Sequence, residues 1–111
     1  MATLFIGNAF SLNMLSRDGE ARSPMPLDGR FVGQTIQDYA DAEGWEVRSV
    51  VGHASTAAIF SDMLGDDIPF NRESVKLGDE DALLVGQYSG PRLEEGATQL
   101  PDGAKIEWWL I

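Results

Sequence analysis

Cysteine is absent from the 111 residues, which excludes a disulfide framework, a thiolate nucleophile and a sulfur-ligated zinc site. That fits a reducing cytoplasm. Basic residues are scarce: eight Lys and Arg stand against eighteen Asp and Glu, for a net charge of −10. Such a surface repels polyanions and anionic membranes alike, so neither long nucleic acid nor a membrane is an expected partner. A small anionic ligand held in a locally positive pocket remains compatible, because exposed charges are screened within about 8–10 Å. No run reaches the ~18 apolar residues of a membrane span. The uncharged opening from Ala2 to Ser16 has nothing basic before it and is interrupted by Asn8, Ser11 and Asn13, so it reads as folded chain. GxGxxG, GxxxxGKS/T, GxSxG and HExxH are all missing, which removes the common dinucleotide, P-loop, hydrolase and zinc-protease readings. Asp66-Asp67 and Asp79-Glu80-Asp81 lack calcium-loop spacing, so no metal site and no cofactor are expected.

Leu, Ile, Val and Phe together make up about a quarter of the chain, enough to fold as one domain over residues 1–111. Thr3-Leu4-Phe5-Ile6, ended by Gly7-Asn8, reads as a buried strand running into a loop. Residues 17–30 carry Gly, Pro, Ser and charges without period and read as a mobile surface connection with short extended pieces. Thr35 and Asp38 have capping-box spacing before Ile36, Tyr39 and Ala40, which predicts a helix up to Gly44. Val47 to Val51 reads as a second strand stopped by Gly52. Ser55 or Thr56 then caps a helix whose inward stripe is Ala58, Ile59, Met63 and Leu64, ended by Gly65. Residues 74–77 and 82–88 look extended and joined by a hairpin turn, and 105–111 form a last strand. The expected fold is α/β (α+β): a single mixed β-sheet of about five strands flanked by helices.

His53 is the sole histidine and lies between a predicted strand and a predicted helix, where loops on a rigid scaffold present reactive groups. The N–H groups opening that helix, with the Ser55 and Thr56 hydroxyls, make an anion site beside the imidazole. A phosphate bound there favours the protonated ring and primes it as a general acid. The alternative is a capping or solvated loop histidine. Arg92 and Glu95 share the segment Arg92-Leu93-Glu94-Glu95-Gly96 after a strand; the guanidinium matches phosphate oxygens, and the carboxylate can accept a proton from a ribose hydroxyl. A surface turn with a solvated Arg and Glu pair is the commoner explanation of such a segment. Asn8, Ser11 and Asn13 offer amides and a hydroxyl after the first strand, or simply make a turn. Trp45, Trp108 and Trp109 read as core or interface anchors.

At GNAFSLNML (7–15), VGHAST (51–56), FNR (70–72) and RLEEG (92–96) the chain resembles the viral type III anti-CRISPR ring nucleases, with the segments in the same order and at like separations. That resemblance implies a small homodimer that binds cyclic tetra-adenylate, the second messenger of type III CRISPR defence. It also implies metal-free cleavage of that ring, in the host cell cytoplasm if the protein is virus-encoded. It places His53 at the general acid, Glu95 and Arg92 in the Arg-Leu-x-Glu-Gly motif, and Asn8, Ser11, Ser55, Thr56, Arg72 and Gln87 at ligand-contacting positions. Gly90-Pro91 lengthens the link between Gln87 and Arg92 by one residue relative to the family pattern. The implied chemistry is attack of a ribose 2′-hydroxyl on its adjacent phosphorus, giving linear di-adenylates with 2′,3′-cyclic phosphate ends. The alternative is a cyclic oligoadenylate binding protein, a sponge or sensor, that does not cleave.

Overall fold

Alternation of buried and half-buried residues along Ala2–Gly7 forms β1, with Leu4 and Ile6 on one face and Phe5 on the other. The computed structural model describes residues 2–11, 14–15, 22, 24–78, 80–93 and 96–111. Chain order then gives β2 (Met25–Leu27), a 3-10 turn (Gly29–Phe31), α1 (Val32–Asp41), β3 (Trp45–Ser49), α2 (Ala54–Leu64), β4 (Ala82–Ser89) and β5 (Lys105–Leu110). The five strands form one mixed sheet in the order β2-β5-β4-β1-β3. β1 pairs in parallel with β3 on one side and with β4 on the other, while β5 runs antiparallel to β4 and β2. The expected mixed sheet with two helices is therefore present.

Both helices contribute to one core. Val32 and Ile36 of α1 and Ala57 and Phe60 of α2 cluster with Leu4, Ile6, Leu84 and Trp108. Phe60 is fully buried with its ring centroid 4.8 Å from that of Trp108; truncating such a side chain typically costs about 3–5 kcal/mol. Gly86 lies beneath this pair, and a Cβ there would come within 2.7 Å of both rings, so only glycine lets β4 pass so closely. On the opposite face Leu83, Val85 and Val50 pack with Val75 and Leu77.

Two expectations about the strands are corrected. Residues 74–77 do not join the sheet. Val75 and Leu77 are buried because the segment lies across the Leu83 and Val85 face, and its Leu77 N–H donates to the Met14 carbonyl at 2.7 Å instead of to a ladder. The expected hairpin is therefore absent, although Asp81 N–H does donate to the Gly78 carbonyl at 3.1 Å. The fifth strand is β2, three residues carrying a proline on the sheet edge, where proline is tolerated. The rest of the connection read as mobile, at 17–21 and 23, lies outside the described residues.

The helix starts also differ. α1 begins at Val32 with no side-chain cap. Thr35 donates its hydroxyl to the Phe31 carbonyl at 2.8 Å, and Asp38 accepts from Gln34 at 2.8 Å, so neither residue is available as a cap. The chain enters α1 through the 3-10 turn, which Asp28 caps by accepting from Arg30 N–H at 2.9 Å. His53, not Ser55 or Thr56, is the N-cap of α2. The buried residues of α2 are accordingly Ser55, Thr56, Ala57, Ile59 and Phe60, while Met63 is exposed. Gly65 ends α2 in the left-handed region at φ +66°, as its position suggests.

Candidate functional site

The parallel strands β1, β3 and β4 all end on the same side of the sheet, and the chain leaves the central β1 for one neighbour and later returns to the other. Crevices form at such a switch point, outside the carboxyl ends of the strands. Asn8 follows β1, His53 follows β3, and Tyr88 to Arg92 close β4 and leave it. These three exits surround a cleft of ≈ 800 Å³ whose polar wall includes Asn8, His53, Ser55, Thr56, Tyr88 and Arg92. Ala54, Ala58 and Leu93 supply an apolar wall. Polar groups set into a mostly apolar hollow of this size are the usual form of a small-ligand site.

Local hydrogen bonds explain the placement. Val50 N–H donates to the Ile6 carbonyl at 2.8 Å, which holds the exits of β3 and β1 together. Gly52 N–H donates to the Asn8 side-chain oxygen at 3.3 Å, so Asn8 spans from one exit to the other just before His53. The His53 ring then turns onto α2, its Nδ1 accepting from Thr56 N–H at 3.4 Å. The first-turn N–H groups of α2 add their partial positive charge at this edge of the cleft.

The Arg92 arm is fastened independently. Gly90 has φ +142°, and a Cβ on it would lie 2.7 Å from the Ala104 Cα, so the arm leaves β4 pressed against the entry to β5. The Tyr88 hydroxyl donates to the Pro91 carbonyl. Arg92 is exposed into the cleft, and among the described residues no carboxylate pairs with its guanidinium.

Of the residues expected at a site, the cleft gathers Asn8, His53, Ser55, Thr56 and Arg92. Arg72 stays outside its lining, exposed, with its stem against Gly52: a Cβ on Gly52 would lie 3.5 Å from the Arg72 Cγ. The segment carrying it is tied beside the His53 turn by Asn71 N–H donating to the Val51 carbonyl at 2.9 Å. Ser11 and Gln87 are exposed and likewise do not line the cleft. Glu95 and Asn13 lie outside the described residues. Sequence reasoning passed over Tyr88. Its signal is the alternation of β4, which puts Leu84 with the helices and Leu83 and Val85 opposite; continued by two residues at a time, it gives position 88 to the helix side and 87 to the other. Among the described residues no three His, Asp or Glu side chains group as a cation site, and no helix is long and apolar enough to cross a membrane.

Comparison with known proteins finds a family model and a solved structure to which the chain is similar. A family model described as STIV B116-like matches residues 4–106. The structure of B116 of Sulfolobus turreted icosahedral virus superposes with a TM-score of 0.79 at 27% identity, covering 97% of each chain. No curated protein matches the chain in sequence.

Proposed function

Because the chain belongs to the STIV B116-like family, we propose that it is a virus-encoded, metal-independent ring nuclease that opens cyclic tetra-adenylate and so switches off type III CRISPR defence. The observation that carries this reading is the convergence of His53, Asn8, Thr56 and Arg92 on one cleft at the start of α2. In the proposed step a ribose 2′-oxygen attacks the adjacent phosphorus and forms the 2′,3′-cyclic phosphate as the P–O5′ bond breaks. Glu95 accepts the 2′ proton, and the protonated His53 ring gives its Nε2 proton to the departing 5′-oxygen. Arg92 stabilises charge on the phosphate oxygens. Holding the 2′-oxygen in line with the leaving oxygen supplies much of the rate, a positioning effect of up to ~7 kcal/mol or more.

One histidine serves one scissile bond, and a twofold homodimer presents two copies to a ring with compatible symmetry. Two cuts then give linear di-adenylates. The reaction takes place in the cytoplasm of the host cell, where the messenger is made. Incubation of cyclic tetra-adenylate with the protein and EDTA is expected to yield cyclic-phosphate-ended di-adenylates over many turnovers. Intact ring at enzyme excess overturns the reading, and depletion only in proportion to protein identifies a binding protein without cleavage.

A further inference from the structure

The hydrogen bonds between the His53 ring and Thr56 of α2 both use Nδ1. Nδ1 lies 3.4 Å from the Thr56 backbone nitrogen and 3.3 Å from the Thr56 hydroxyl oxygen. These two groups suit opposite states of the ring. A backbone N–H only donates, so it satisfies Nδ1 when that nitrogen is bare; a hydroxyl rotates and also accepts, so Oγ1 satisfies Nδ1 when it carries a proton. Thr56 is 5% exposed and sits in the first turn of α2, so packing fixes both groups relative to the ring. With Nδ1 engaged on the helix, Nε2 is the nitrogen left to meet a ligand.

We propose that Thr56 is the positioning residue of His53, its hydroxyl accepting from Nδ1–H while Nε2 faces the leaving oxygen. The catalytic half of this assignment rests on the ring-nuclease reading. Proton bookkeeping calls for such an acceptor: an imidazolium that releases its Nε2 proton becomes the neutral tautomer with the remaining proton on Nδ1. The Thr56 N–H, itself a donor, then faces a second donor, and Oγ1 is the Thr56 atom beside the ring that can receive it. The helix cap and the reactive ring thus use the same residue through different atoms.

A single histidine makes the test direct, because protein labelled with 15N-histidine yields one pair of ring nitrogens. Under conditions where the 15N shifts show both ring nitrogens protonated, the Hδ1 signal is expected in wild type and in Thr56→Ser. Thr56→Val keeps the shape and the backbone N–H, and there Hδ1 exchange with water is expected to rise about tenfold, as for loss of one hydrogen bond. Equal exchange in all three proteins overturns the assignment whether or not any ring is cleaved. With cyclic tetra-adenylate, Thr56→Val is expected to lower kcat about tenfold while KM stays nearly constant, and Thr56→Ser to restore most of it. Unchanged kcat overturns the catalytic half, as does a raised KM alone, which would put the hydroxyl on the ligand. A wild-type protein that leaves the ring intact removes the ring-nuclease reading, and the exchange measurement still decides the role of Thr56.

Discussion

The two ends of the parallel strands use the same kinds of side chain for opposite purposes. At the amino ends of β1 and β4, Asp81 accepts from Thr3 N–H at 3.0 Å and Gly78 N–H at 2.8 Å, while Arg22 donates to the Asp81 carbonyl at 2.7 Å and to the Gly78 carbonyl. Acid and base there are consumed by backbone. At the carboxyl ends, His53 and Arg92 stand around a cleft, and what holds them is supplied by neighbours: Thr56 for the ring, Tyr88 and Gly90 for the arm. A charged group closed onto its own backbone stabilises a turn; one held from behind keeps its donors for something else. On the ring-nuclease reading, this contrast divides stability from activity along a single sheet.

The sharpest way to break that division is His53→Ala, which is expected to lower ring turnover about 10²–10⁴-fold. Its cost in stability should be about 1 kcal/mol, the value of a helix cap, read from a urea midpoint. A larger loss of stability than of activity would invert the comparison. Asp81→Ala is expected to behave in the opposite sense, costing about 2–4 kcal/mol in urea for two carboxylate hydrogen bonds and leaving turnover per folded molecule unchanged. Tyr88→Phe sharpens the account of the cleft end: removing the bond to Pro91 should lower kcat/KM by less than about tenfold and speed tryptic cutting after Arg92. Unaltered cutting would show that Gly90 against Ala104 holds the arm without it. The smallest effect concerns neither end. Arg30 donates through Nε and Nη2 to Asp28 at 2.9–3.3 Å, and these side-chain bonds hold the Asp28 carboxyl below the ordinary aspartate value. A lowered native pKa means the pair stabilises above the unfolded aspartate pKa and loses that contribution as pH falls through the native one. Both groups are exposed, so a carboxyl-carbon NMR titration should return toward the ordinary value in about 1 M salt.

Strands β1, β4 and β5 were legible because a period of two ended by glycine or turn residues reports a sheet directly. The same period misleads at Val75 and Leu77, where alternation records burial against a sheet face instead of pairing within the sheet. β2 is one of the short extended pieces expected within 17–30, but three residues with a proline left too little pattern to place it in the sheet. The stop of α2 at Gly65 was legible, since a left-handed cap favours glycine. Its start was legible only as an alternative, a capping His53: Ser and Thr rank above His as caps, yet here Nδ1 accepts the Thr56 N–H at 3.4 Å. For the cleft, residue chemistry pointed to His53, Asn8, Thr56 and Arg92, which the exits of three parallel strands bring together. Arg72, Ser11 and Gln87 share that chemistry but are carried past the rim by their backbone positions.

The order β2-β5-β4-β1-β3 has a consequence for synthesis. β1 is translated before both of its partners, β3 some forty residues on and β4 some eighty on. Beyond them, Ile111 exchanges two backbone hydrogen bonds with Leu83. One edge of the nascent strand therefore stays unpaired until β3 is made, and the other until β4 is made. Sheets that depend on such distant pairings assemble slowly, and a stalled or truncated product of this gene would present β1 as a sticky edge for chaperones or for its own kind.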